Sequence, residues 1–528
     1  MTKPKVLISD SLSPAAVKIF EERGVDVEIK TGLKPEELEA IIGNYAGLAI
    51  RSSTKVTTKI LDAAKNLKVV GRAGIGVDNV DVPAATSRGV VVMNTPFGNS
   101  ITTAEHAIAM MFALARQLPA ANASTHAGKW EKSRFMGVEV TGKTLGIIGC
   151  GNIGSIVAER ALGLKMKVVA FDPFLTAERA AKLGVEKVEL DQLFPRADFV
   201  TLHTPLTDQT RGIVNAAALA KCRKGVYIIN CARGGLVVEA DLQAALESGQ
   251  VAGAGLDVFA EEPAKQHPLF GNEKVVCTPH LGASTSEAQE NVALQVAEQM
   301  SDFLLTGAVS NALNMPSVSA EDAPKLRPYM KLAEQLGAFA GQITEKGIAA
   351  IAIEYEGEVA ALNTRPITNM ILMGILRPSL DSVNMVNAPV IAKDRGITIS
   401  ETKSSVEGDY HTLVRLKITG AGGTFTLAGT LFSGKPRVIA IDNVALEAEL
   451  TPHMLFVRNN DKPGFIGRLG TALGEAKINI ANFVLGRSKQ GADAVCLVSV
   501  DGEISPPVRE AVKSLPGVVS AHALKFDA

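Results

Sequence analysis

The sequence predicts a multidomain α/β protein, and three observations carry that prediction. The chain has 528 residues, too many for one hydrophobic core, so three or four domains are expected. Short apolar runs alternate with amphipathic stretches over residues 1–98, and again from Thr144 to about Pro279. Such alternation implies parallel sheets with helices on both faces. The last segment has another rhythm: strand-like 454–459, helical 464–476, strand-like 478–485 and 494–500, helical 506–514, and a final strand at 518–524. That βαββαβ order predicts a small sheet backed by two helices.

In the first alternation, strands are expected at 6–9, 25–29, 47–51, 67–71 and 90–94. Helices are expected at 14–23, 35–43 and 57–65, with another opening near Asp81. Ligands of such sheets sit beyond the carboxyl ends of the strands, where Arg51 and Arg72-Ala73-Gly74 stand. The apolar run 99–117 has helical length and reads as a core or inter-domain helix. A helix at 286–305 is expected to return to the first domain. Residues 308–328, with Pro316, Pro324 and Pro328, read as a linker. Residues 315–450 mix helical and strand-like pieces without an interpretable motif. The expected division is a substrate domain at 1–98 completed by about 286–310, a cofactor domain at 99–285, an α+β domain at 315–450, and the terminal module at 451–528.

Composition narrows the function. Apolar residues make up 46% and charged residues 21%, the balance of an ordinary globular protein rather than a disordered one. A formal net charge of −1 provides no global field for nucleic acid or an anionic membrane, so an anionic ligand must be held by local donors. The N-terminal apolar run is only Val6-Leu7-Ile8, too short for a secretory signal. No stretch approaches the ~18 apolar residues needed to span a bilayer. The five cysteines are scattered without a CxxC, so a reducing cytoplasm and no metal site are expected.

The strongest motif is Gly149-Cys150-Gly151-Asn152-Ile153-Gly154, preceded by an apolar strand and opening a helix. In that context the first glycine permits a tight turn, the second lets a pyrophosphate approach the backbone, and the third lets helix and strand pack. The helix N-terminus then offers unpaired N–H groups to phosphates. A second strand, 167–171, ends at Asp172, whose carboxylate suits ribose hydroxyls and repels a 2′-phosphate. NAD is therefore favoured over NADP.

Three further apolar runs end in polar residues: Arg233-Gly234-Gly235, Glu261-Glu262-Pro263 and His280-Leu281-Gly282. Oxidising a 2-hydroxy acid requires a base for the hydroxyl proton, a carboxylate to orient that base, and a forked cation for the substrate carboxylate. His280, Glu262 and Arg233 supply these three types.

The segments GIIGCGNIG, NCARGGLV, AGLDVFAEEP and TPHLGASTSEAQ closely resemble signatures of the D-isomer-specific 2-hydroxyacid dehydrogenases. Over essentially the whole length the chain resembles their long form, the phosphoglycerate dehydrogenases with extra C-terminal domains. The resemblance implies a flavodoxin-like substrate domain, a Rossmann-type NAD domain, an intervening α+β domain and a terminal ACT domain. It makes Arg233, Glu262 and His280 catalytic, Glu262 being chosen over Glu261 because it directly precedes the proline. It implies contacts to NAD from Gly149, Gly151, Asn152, Ile153, Gly154, Asp172, Thr204, Cys231 and Asp257, the last accepting from the nicotinamide amide. A substrate phosphate is expected near Arg51 and Arg72, with Gly74, Asn99 and Ser100 alongside; Lys132 and Arg134 are further cationic candidates. The implied reaction is NAD-dependent oxidation of 3-phosphoglycerate, the first step of L-serine biosynthesis. L-serine is the implied effector, held by Asn459, Asp461 and Asn479 where two copies meet in a homo-oligomer. Lys435 and Arg437 are the only local candidates for an anion site in the intervening domain. The alternatives are a glyoxylate or hydroxypyruvate reductase, and a non-catalytic NAD-sensing scaffold.

Overall fold

The computed structural model describes residues 3–319, 321–344, 347–380, 382–406 and 408–526. The first sheet is parallel, with strands β1 (Lys5–Ile8), β2 (Asp26–Ile29), β3 (Gly47–Ile50), β4 (Val69–Arg72) and β5 (Val91–Asn94) in the order β2-β1-β3-β4-β5. β3 and β5 are buried throughout, as strands covered on both faces must be. Two of the helices between them begin with side-chain caps: Ser13 accepts from the Ala15 amide and Asp81 from the Ala84 amide, each followed by a proline in the first turn. Helix Ser286–Thr306 packs on this sheet, placing Val292, Val296, Ala297 and Met300 in one core with Val6, Ile8 and Val69. Gly71 makes the room, since a Cβ there would lie 2.2 Å from the Met300 sulfur.

The expected linker is instead ordered structure. Residues 309–318 run along β5: Met93 pairs antiparallel with Ala312, and the Leu313 amide donates to Val92. Pro324 lies in the first turn of helix Ala323–Ile343, where a missing N–H costs least, and Pro328 lies inside the same helix.

The second sheet, also parallel, has strands β6 (Thr144–Ile148), β7 (Lys167–Phe171), β8 (Glu186–Lys187), β9 (Phe199–Leu202), β10 (Val226–Asn230), β11 (Val251–Leu256) and β12 (Val275–Cys277). Their order, β12-β11-β10-β9-β6-β7-β8, reverses direction between β6 and β9, and that crevice is where a dinucleotide binds such a sheet. Helix Ser100–Ala115 joins the two sheets and lies close on β11, because Cβ atoms are missing where Gly253 and Gly255 face Leu114 and Met110.

The region without a legible motif forms a third sheet: β13 (Ile348–Gly357), β14 (Thr398–Ser404), β15 (Thr412–Gly420), β16 (Gly423–Phe432), β17 (Lys435–Ile441) and β18 (Val444–Ala448). Only β13 and β14 pair in parallel; the remaining neighbours are antiparallel. Helices Ala323–Ile343 and Arg365–Leu376 cross tightly at glycines. A Cβ on Gly337 would lie 2.3 Å from the Ile371 carbonyl oxygen, and one on Gly341 2.4 Å from that of Ile375.

The last sheet contains β19 (His453–Asn460), β20 (Ile480–Arg487), β21 (Asp493–Val500) and β22 (Val518–Lys525), antiparallel in the order β20-β21-β19-β22. Alternate residues face opposite ways. Leu455, Val457, Cys496 and Val498 pack with Phe465, Leu469 and Leu473 of its own helix. Met454, Phe456, Val495, Leu497, Leu524 and Phe526 enter the core of the third sheet, where the Phe456 and Phe339 rings meet edge-on at 5.3 Å. The sheet is thus covered on its second face too, by the preceding region.

Candidate active site

The glycine-rich turn follows β6. Gly149 has φ +92°, and a Cβ there would lie 2.6 Å from the His203 carbonyl oxygen. A Cβ on Gly154 would approach the Gly149 oxygen to 2.0 Å, so glycine is required for helix Asn152–Gly163 to start so close to the strand. A Cβ on Gly151 would meet nothing within 4 Å: this glycine faces open space at the helix N-terminus, beside Asn152 and Ile153. Asp172 accepts from the Cys150 and Phe174 amides, both at 2.8 Å, on different oxygens. Each oxygen keeps a lone pair for a ribose hydroxyl. Thr204 follows β9, on the other side of the crevice, with its amide beside Gly149. This open cradle, helix terminus and half-satisfied carboxylate fit a dinucleotide. Cys231 is buried, and burial pushes its thiol up, so the side chain acts as a small apolar filler.

His280 Nδ1 stands 2.7 Å from Glu262 Oε2. A carboxylate accepts only, so Nδ1 carries a proton, and in the neutral ring Nε2 is the acceptor. The other Glu262 oxygen accepts from the Phe259 amide at 3.1 Å, which fixes the carboxylate. His280 adopts φ +55°, a strained conformation for a residue with a Cβ. Its amide donates to the Asp257 carbonyl at 2.9 Å. The Asp257 carboxylate has no exposed surface. It accepts from Thr278 Oγ1 (2.6 Å) and from the Leu281 (2.6 Å) and Gly282 (2.8 Å) amides, with His106 Nε2 at 3.3 Å. The acceptor expected for a nicotinamide amide thus also organises the loop carrying His280, through Oδ1 above all, while Oδ2 accepts from one amide only.

Arg233 reaches from β10 to the first sheet. Its Nε donates to Asp78 at 2.9 Å, and its guanidinium fills the space a Cβ on Gly76 would take. Gly234 packs on the Phe259 carbonyl, setting this segment against the one bearing Glu262. Arg72 folds over Gly74, which has φ +137° and whose Cβ would collide with the guanidinium. The Arg72 Nε is buried without a partner. Burial, and then the charge of Arg233, lower its pKa to about 10; Arg51 adds to the shift, while Asp78 and Asp10 oppose it. The charges of Arg233 and Arg51 therefore both reach Arg72 at the carboxyl end of β4.

Asn99 caps the joining helix and is buried, its Oδ1 unpartnered. Ser100 differs from expectation: it is buried, and its hydroxyl donates to the Pro96 carbonyl, so only its helix-terminal amide is offered to a ligand. Arg134 bonds to Glu131 and to Glu273, a bridge to the second sheet rather than a free cation; Lys132 is exposed. Arg437 pairs with Glu449 at 3.1 Å, and Lys435 is exposed.

The effector candidates are engaged locally. Asn459 is buried, with its Oδ1 unpartnered. Asp461 accepts from Arg487 and the Gly491 amide, both at 3.0 Å, and Arg487 already supplies the cation expected of a bound ammonium. Asn479 donates to Asp501 at 2.7 Å.

Sequence reasoning missed Asp78, Thr103, His106 and Thr278. His106 and Thr278 lie in segments read as an apolar helix and an apolar strand, and a polar side chain inside each was the available signal.

Among the described residues, no helix is long and apolar enough to cross a membrane and no group of His, Cys, Asp or Glu could hold a metal ion. Residues 108–282 match the NAD binding domain of D-isomer specific 2-hydroxyacid dehydrogenases, 325–442 the D-3-phosphoglycerate dehydrogenase intervening domain, and 453–517 the ACT domain. The chain is 44% identical to a D-3-phosphoglycerate dehydrogenase of Synechocystis, over 99% of this chain and 95% of that one. The enzyme of the same name from Archaeoglobus fulgidus is 41% identical over 98% and 99% of the two chains. An NAD-bound 3-phosphoglycerate dehydrogenase structure from Entamoeba histolytica superposes with TM-score 0.51 at 30% identity, covering 59% of this chain and 99% of that one. The nucleotide-binding domain and the two added C-terminal regions thus agree with full-length relatives, and the chain belongs to the D-3-phosphoglycerate dehydrogenases, NAD-dependent members of the D-isomer specific 2-hydroxyacid dehydrogenase family.

Proposed function

We propose that the protein oxidises 3-phospho-D-glycerate to 3-phosphohydroxypyruvate, the first step of L-serine biosynthesis. The carrying observation is the guanidinium cluster: Arg72, its Nε unpartnered and its pKa lowered, lies within electrostatic reach of Arg51 and Arg233. An unphosphorylated hydroxy acid brings one anionic group to such a site, whereas phosphoglycerate brings two. Arg233 binds the substrate carboxylate in forked fashion, and Arg51 and Arg72 take the phosphate, with Gly74, Asn99 and the Ser100 amide alongside. His280 Nε2 removes the C2 hydroxyl proton while Glu262 stabilises the imidazolium. Bound NAD supplies the acceptor for the C2 hydride. Gly149, Gly151, Asn152, Ile153, Gly154, Asp172 and Thr204 hold it.

We propose the division of labour as 1–98 with 286–310 for substrate, 99–285 for NAD, 315–450 as the intervening region and 451–528 for regulation. The ACT match supports an amino-acid effector, proposed as L-serine bound around Asp461 and Asn479. A second copy is proposed to cover helix Leu118–His126, which buries no residue, together with Trp130 and Met136, 87% and 79% exposed. The cytoplasm is the proposed compartment.

The test is NAD reduction by the purified protein with 3-phosphoglycerate, set beside glyoxylate and hydroxypyruvate reduction. Preference for the unphosphorylated acids makes the protein a reductase. NAD binding without turnover of any of them makes it a scaffold.

A further inference from the structure

Helix Ser100–Ala115 presents Asn99, Thr103 and His106 on one face, spaced four and three residues apart. Thr103 Oγ1 lies 2.8 Å from the Gly282 carbonyl oxygen, just after His280, and 3.1 Å from that of Asn99. His106 Nε2 lies 3.2 Å from Thr278 Oγ1, just before His280, and 3.3 Å from Asp257 Oδ1. Thr278 gives its own proton to Asp257, so Nε2 must be the donor to these two oxygens. The helix therefore grips the loop on both sides of His280, and it comes near enough because β11 carries glycines where the helix crosses.

We infer that Thr103 and His106 are positioning residues that hold the 278–282 loop so that His280 Nδ1 stays on Glu262 and Nε2 faces the C2 hydroxyl of the substrate. Left-handed backbone at a non-glycine residue persists only when its surroundings over-determine it, and these two side chains, with Asp257, provide that determination. The inference rests on the dehydrogenase reading. An ångström of misplacement at a reacting group costs on the order of 10²-fold in rate, which sets the expected effect.

The experiment compares Thr103→Val and His106→Phe, which remove the donors, with Thr103→Ser and His106→Gln, which keep them. The expected result is a fall in kcat of roughly 10- to 100-fold for the first pair with NAD affinity unchanged, and substantial recovery for the second. A folding defect would instead reduce NAD-binding stoichiometry and kcat together, and would not separate the pairs. A readout independent of turnover is the proton on Nδ1 of His280 in 15N-histidine NMR. It should be protected in the parent and in the Ser and Gln variants, and lost to exchange in the Val and Phe variants. Val and Phe variants that keep both kcat and the protected proton overturn the inference. A parent that binds NAD but turns over nothing defeats the functional reading, and the NMR comparison still decides the positioning role.

Discussion

Gly151 and Gly154 lie three residues apart, yet alanine at each should act through different free energies. At 154 the new methyl would sit 2.0 Å from the Gly149 carbonyl oxygen, where ordinary contact begins at 3.4 Å. Backbone faces backbone, so no side chain can swing away, and the helix must retreat by more than an ångström. Overpacking of this kind costs about 1–3 kcal/mol, with a backbone clash at the upper end. Alanine returns about 1 kcal/mol of helix propensity, leaving a net loss of about 2 kcal/mol. In a cooperative unit of about 150–250 residues that lowers Tm by roughly 4–8 °C. At 151 the methyl meets no protein atom, so the steric loss found at 154 is absent. That methyl occupies the space a pyrophosphate needs, and NAD affinity should fall by roughly tenfold or more, about 1.4 kcal/mol. Thermal melts without NAD and fluorescence titration with NAD read the two quantities separately. A Gly154→Ala protein that melts with the parent, or a Gly151→Ala protein that binds NAD like the parent, would refute the reasoning.

His280→Asn should leave NAD affinity intact and all but abolish turnover, measured by steady-state kinetics; an unimpaired variant would overturn the proposed base. L-serine inhibition should be lost in Asn479→Ala if the effector sits at that turn, and inhibition that survives places it elsewhere. Deleting residues after 450 should unfold the third sheet as well, because Met454, Phe456, Leu524 and Phe526 leave its core; a cooperative melt retained by the remaining intervening region would contradict the shared core.

Period and punctuation made the two parallel sheets legible. Val6-Leu7-Ile8 and Val69-Val70 read as strands because both faces are covered, and Ser13-Pro14 and Asp81 announce helix starts by capping chemistry. The glycine fingerprint was readable because each glycine answers a local contact with the next strand or with its own turn. What stayed illegible depends on long-range contact. Residues 308–318 carry loop composition but find Val92 and Asn94 more than 200 positions earlier. Gly337, Gly341 and Gly374 look like helix weaknesses until the opposing carbonyls are seen. Asp257 reads as a strand-end acid with a free carboxylate, and only the fold reveals that it is buried and accepts from two amides of the His280 loop. Asp461 likewise reads as turn chemistry, and its partner Arg487 lies 26 residues away.

The packing restricts how an effector at the last sheet could reach the arginines. Phe456 packs on Phe339 of helix Ala323–Ile343, which meets helix Arg365–Leu376 through glycines with no room to slide. Asn369 of that second helix bonds to the Met385 carbonyl at 3.0 Å, and Val386 enters the core of the first sheet with Val292 and Met300. Met300 in turn lies over Gly71, the neighbour of Arg72. Contiguity alone is not coupling; an element with two arrangements is also required. Close-packed joints cannot absorb a displacement, so the place to look is the polar dock where Asn384 and Asn387 bond to the Gly89 and Ser87 carbonyls at 3.1 and 3.2 Å. A ligand that tilts the last sheet must either break those two bonds or carry the first sheet with it. In the second case Arg72 moves relative to the loop that holds His280.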